Sequence, residues 1–89
     1  MGKISFAEEG WEDYLYWQTQ DKKTLKKINK LIKSIERDGP MNGEGKPEKL
    51  KFRDDEYSRR INEEDRLVYS VNDGQMEIRS CRGHYKDEL

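Results

Sequence analysis

Between Asp21 and the pair Gly39-Pro40, Leu25, Ile28, Leu31, Ile32 and Ile35 recur at helical spacing, and Lys22, Lys23, Lys26, Lys27, Lys30 and Lys33 fill the positions between them. This is an amphipathic helix with one apolar stripe, opened by an acidic cap and closed by a Gly-Pro stop. A helix so rich in lysine cannot be buried all round, so it needs one apolar surface to lie on. Only 31% of the 89 residues are hydrophobic, which is material for one core and one domain, 1–89.

The remaining segments supply that surface. Lys3-Ile4-Ser5-Phe6 alternates as a first edge strand. Trp11, Tyr14, Leu15 and Gln18 then fall at i, i+3, i+4 and i+7, with Glu8 and Glu9 in the first turn. The short joint near Thr19–Asp21 predicts an antiparallel pair of helices. On this spacing Trp11 and Tyr14 face the core, while Trp17 is off the stripe and free to contact a partner. Beyond Pro40, Leu50 and Phe52 alternate as a strand, and 57–62, 66–72 and 75–82 read as three more. Asn72-Asp73-Gly74 forms a tight hairpin. The expected order is β-α-α-β-β-β-β, an α+β fold with an antiparallel sheet and a two-helix hairpin packed on one face.

Alternation then sorts the sheet's faces. If Leu67, Tyr69 and Val71 face the core with Ile61, then Ser58, Arg60 and Asn62 lie opposite, as do Arg66, Val68 and Ser70. A face left wet with arginines on adjacent strands can grip a phosphate.

Charge sets limits on function. With 18 basic and 19 acidic residues, net −1, there is no global attraction to nucleic acid, so such a function needs a local patch. The single cysteine, Cys81, permits no internal disulfide and no clustered zinc site, and packs as a small apolar residue. No apolar run reaches signal-peptide or membrane length, so a cytoplasmic location is expected. The ending Lys86-Asp87-Glu88-Leu89 spells a retention address with meaning only in a secretory compartment. It is read as coincidence.

The chemistry-bearing residues fit cleavage of a phosphate ester without metal or other cofactor. A base must take the ribose 2′-OH proton, a cation must hold the phosphorane charge and an acid must protonate the leaving oxygen. His84, the only histidine, is suited to acid–base work near neutral pH. Glu48, after Gly43-Glu44-Gly45-Lys46-Pro47, is a candidate base. Arg60 and Arg66 form the clamp, Lys51 adds charge and Tyr85 can stack on a base. The plain reading of Arg59, Arg60 and Arg66 is surface ion pairing with Glu63, Glu64 and Asp65.

Trp11-Glu12-Asp13-Tyr14-Leu15-Tyr16-Trp17, Lys26-Lys27-Ile28-Asn29-Lys30-Leu31-Ile32-Lys33, Gly43-Glu44-Gly45-Lys46-Pro47-Glu48, Ser58-Arg59-Arg60-Ile61, Arg66-Leu67-Val68-Tyr69 and His84-Tyr85 together resemble the YoeB-type toxins of the RelE/ParE superfamily. The resemblance covers the chain to Tyr85. It implies a small RelE-like fold and a ribosome-dependent mRNA interferase that cuts the codon in the A site. By motif, Glu48 matches the family's general base, Arg66 its phosphate-stabilising arginine and His84 its general acid. Tyr85 matches its terminal tyrosine, and Lys51 and Arg60 its supporting basic residues. The implied partners are a cognate antitoxin of YefM/Phd type, the ribosome and mRNA, a second copy in a homodimer, and operator DNA through the antitoxin complex only. The alternative is a non-catalytic or gyrase-inhibiting toxin of the same fold. Departures are Lys49 where a second proline is common, a shorter loop between Leu50 and Tyr57, and four residues past Tyr85.

Overall fold

A computed structural model describes residues 3–51 and 55–83. Strand β1 (Lys3–Phe6) leads into helices α1 (Glu8–Gln20) and α2 (Lys22–Asp38), followed by β2 (Glu48–Lys49), β3 (Glu56–Arg60), β4 (Arg66–Asn72) and β5 (Gln75–Ser80). The sheet runs in the order β1-β5-β4-β3-β2. Strands β2 to β5 pair antiparallel, as expected. β1 departs from the expectation and lies parallel to β5, Ile4 beside Met76 and Phe6 beside Ile78. The sheet is therefore mixed, because α1 and α2 intervene between β1 and the antiparallel meander and leave β1's direction set by how α1 crosses β5.

The helix punctuation is as the sequence implies. Asp21 caps α2, accepting from the backbone N–H groups of Lys23 and Thr24 and from the Thr24 hydroxyl. The single residue Asp21 separates the helices. Between β4 and β5, Asp73 and Gly74 have φ of 53° and 75°, the left-handed pair that a two-residue hairpin turn requires.

Ile28, Leu31, Ile32 and Ile35 of α2 pack with Ile61, Leu67, Tyr69, Met76 and Ile78 in one buried cluster. Helix α1 joins it turned from the face expected: Tyr14 packs against the cluster as expected, but Trp11 does not. Trp17 is buried and donates its indole N–H to the Cys81 carbonyl at 2.8 Å, whereas Trp11 is 48% exposed and Leu15 39%. The cause is Gly10. A Cβ there would lie 2.3 Å from the Ile78 carbonyl oxygen, so the helix touches the sheet along Gly10, Asp13 and Trp17. A glycine adds nothing to an apolar stripe, and the pattern is therefore read one position off. Trp11 instead stacks with Tyr14 and meets Phe6 edge-on.

β2 is shorter than the alternation of Leu50 and Phe52 suggests. Leu50 is buried just past its end, and Phe52 lies outside the described residues. The face opposite the helices is only partly wet, since Ser58 and Val68 are buried there beside the exposed Arg60.

Candidate active site

Register assembles the site. Glu48 pairs with Ser58 across β2–β3, and Ser58 with Val68 across β3–β4. Arg60 stands directly opposite Arg66. By alternation all of these share the face away from the helices. Arg66 Nη2 donates to Glu48 Oε1 at 3.2 Å and to Ser58 Oγ at 3.1 Å, and its Nε also reaches that hydroxyl. The Arg66 side chain is 16% exposed and that of Glu48 52%. A held guanidinium thus stands beside a carboxylate that solvent can reach. Such a pair can present a cation to a phosphate and a base to a neighbouring hydroxyl.

Lys51 is exposed in the turn past β2, three residues beyond Glu48. His84 and Tyr85 lie outside the described residues. The segment leading to them is tied on both sides. Cys81 N–H donates to Asp13 Oδ2 at 3.0 Å, and Cys81 C=O accepts from Trp17. The Arg82 guanidinium lies 3.6 Å over the Tyr16 ring. Gly83 N–H donates to Asp65 Oδ1 at 2.7 Å, and its carbonyl accepts from Arg66 N–H at 3.0 Å. The chain therefore leaves Gly83 from a point bonded to the backbone of Arg66. Burial raises the Asp13 carboxyl above the ordinary aspartate value, against the lowering effect of the Cys81 N–H. Burial also pushes the Cys81 thiol up to about 12.

Sequence reasoning misassigned Arg59. It is fully buried on the helix side and makes no surface ion pair with the acidic turn. Its Nε donates to Tyr69 OH, its Nη1 to Ser34 Oγ and the Glu44 carbonyl, and its Nη2 to the Gly39 and Asn42 carbonyls. All five donors are used. The signal was available: if Ser58 and Arg60 face away from the helices, Arg59 between them faces inward.

Among the described residues, no group of three or more His, Cys, Asp or Glu side chains could hold a metal ion. No helix there is long and apolar enough to cross a membrane.

Residues 6–85 match the YoeB-like toxin of bacterial type II toxin–antitoxin systems. Toxin YoeB of Escherichia coli strain K12 is 54% identical over 84 residues, covering 93% of this chain and 99% of the relative. A solved YoeB dimer from Staphylococcus aureus is 54% identical with a TM-score of 0.88, covering 93% of this chain and 97% of that one. A heterotetrameric YoeB–YefM toxin–antitoxin complex from the same organism contains a chain 55% identical, with a TM-score of 0.84 and coverage of 92% and 95%.

Proposed function

This chain belongs to the YoeB-like family of toxins of bacterial type II toxin–antitoxin systems, and from that we propose that it is a ribosome-dependent endoribonuclease cutting mRNA in the A site. The observation that carries the proposal is the Glu48–Arg66 pair, 3.2 Å apart on the sheet face away from the helices. Glu48 takes the proton from a ribose 2′-OH. The 2′-oxygen attacks the adjacent phosphorus, and the bond from phosphorus to the 5′-oxygen breaks. Arg66, with Arg60 opposite it, holds the negative charge that builds on the non-bridging oxygens. His84 delivers a proton to the leaving 5′-oxygen. The products are a 2′,3′-cyclic phosphate and a 5′-hydroxyl. Lys51 adds positive charge for the RNA backbone, and Tyr85 stacks on a base.

Solved relatives support two arrangements. A YoeB from Staphylococcus aureus is solved as a dimer and in complex with YefM, and this chain forms a homodimer and is held by a YefM-type antitoxin. It meets operator DNA through that complex, and it acts in the bacterial cytoplasm, where the ribosome aligns the substrate.

The test is primer extension on a short mRNA in a bacterial translation extract, comparing this chain with Glu48→Ala and His84→Ala. Cuts inside the A-site codon that disappear in both variants are expected. Full cleavage by either variant refutes the assigned role of that residue, and no cleavage by the intact chain refutes the activity.

A further inference from the structure

We propose that Arg59 is a positioning residue for Glu48, fixing from behind the sheet the loop that leads into the base's strand, β2. The role rests on the ribonuclease reading above and names a residue outside the substrate face.

The loop from Gly39 to Gly45 has little to hold it in place by itself. It contains no helix or strand, and Gly39, Gly43 and Gly45 adopt φ of 93°, 103° and 92°, which gives the unfolded loop much freedom to lose. Its carbonyls are instead gathered on one cation. Gly39, Asn42 and Glu44 accept from Arg59, and Pro40 accepts from the Tyr69 hydroxyl that also binds Arg59. Ser34 Oγ joins the cage from α2 and also accepts the Glu44 N–H. The fit is close: a Cβ on Gly43 would lie 2.3 Å from Ser34 Oγ and 3.2 Å from Arg59 Nη1.

Three residues separate the cage, which ends at Glu44, from Glu48. Gly45 C=O accepts from Arg60 N–H at 2.7 Å. Lys46 and Pro47 follow, the latter with its backbone restricted by its ring, and then Glu48. On the other face of the same strand, Ser58 Oγ holds Arg66. Three successive β3 residues therefore serve both faces, Ser58 and Arg60 towards the site and Arg59 behind it. The cage's five acceptors are all neutral, with Asp38 held one hydroxyl away through Ser34. Burying a cation this way is an inefficient route to stability, because an apolar side chain would fill the space at lower cost. What the planar fork supplies is direction: five donors fix five acceptors in space, which lysine, with three donors on one atom, cannot reproduce.

The experiment is a double-mutant cycle on kcat for cleavage by programmed ribosomes, at a temperature where each variant is folded by circular dichroism. Its corners are the intact chain, Arg59→Lys, Glu48→Gln and the double variant. Tyr69→Phe replaces Arg59→Lys in a second cycle, since it keeps the charge and removes one tie to the cage and the tie to Pro40. Each positioning variant is expected to lower kcat by about 10- to 100-fold with KM for ribosomes unchanged, and to have no further effect once Glu48 is Gln. Multiplicative losses in the double variant overturn the proposal, because Arg59 then does not act through Glu48. Wild-type kcat in folded Arg59→Lys and Tyr69→Phe overturns it too, as does failure of both to fold, which assigns Arg59 to the core alone. Full activity of Glu48→Gln by itself refutes the base instead, a separate outcome.

Discussion

Replacing Ser34 with alanine sets two effects of opposite sign against each other. Ser34 lies inside α2, where alanine is the better helix former by about 0.5 kcal/mol. On propensity alone the variant is more stable. The structure gives the hydroxyl three bonds: it accepts from Arg59 Nη1 at 3.0 Å and from Glu44 N–H at 3.1 Å, and donates to Asp38 Oδ2 at 3.1 Å. The residue is 1% exposed, so water does not replace these partners. Losing a bond from a charged donor costs about 1.5–3 kcal/mol and losing a neutral one roughly 1 kcal/mol. The Asp38 carboxylate keeps Arg37 as a partner without the hydroxyl, so that bond adds little to the loss. After subtracting the helix gain, Ser34→Ala is expected to destabilise by about 2–3.5 kcal/mol. For a chain of this size that is a fall in Tm of roughly 8–28 °C. Urea unfolding followed by the fluorescence of the buried Trp17 measures it, with the midpoint lowered and the slope unchanged. A variant as stable as the parent, or more so, would refute the closed cage.

Gly10→Ala drives a methyl group against the Ile78 carbonyl, and a loss of about 3 kcal/mol or more in the same urea assay is expected; an unchanged midpoint refutes the close approach of α1 to β5. Asp13 has a raised folded pKa, so the folded state binds the proton more tightly and this group's contribution falls as pH rises through and above the ordinary aspartate range. Asp13→Asn keeps an acceptor for Cys81 N–H without a charge, so its Tm relative to the parent is expected to be higher at pH 7, with the advantage vanishing below about pH 3.9; a lower Tm at pH 7 shows that the charged bond outweighs burial. The Cys81 thiol, buried and pushed up to about 12, is expected to resist alkylation at pH 8 until denaturant is added, and rapid labelling of the folded protein contradicts its placement.

Much of this architecture is legible in the sequence because local rules and tertiary structure agree. The α2 stripe, the Asp21 cap, the Gly39 stop and the Asp73-Gly74 turn each depend on neighbours within a few residues, and each appears where expected. The errors lie where a distant partner decides. Trp17 is buried and Trp11 exposed because Gly10 meets a β5 carbonyl 68 residues further along (78 − 10). β1 runs parallel to β5 for a reason no local pattern carries. Arg59 was grouped with its charged neighbours although alternation pointed it inward, where four of its five acceptors lie between Ser34 and Glu44 and the fifth is Tyr69. In the candidate site, alternation is enough to put Arg60 and Arg66 on one face, whereas the bond between Arg66 and Glu48 depends on the β2–β3 register, which alternation does not fix.

The parallel pairing of β1 with β5 also imposes a schedule on synthesis. Phe6 leaves the ribosome early, and its partner Ile78 is 72 residues later (78 − 6). At about 5–20 residues per second the first strand waits roughly 4–14 s for the strand that completes its edge of the sheet. Over that interval α1 has no β5 backbone to receive Gly10, and Trp17 has no Cys81 carbonyl to bind. The helical pair can form at once, but the sheet has high contact order and closes last. A growing chain of this protein is thus unable to bring Arg66 beside Glu48 until β4 has emerged, or to bond Arg66 to Gly83 until β5 has followed.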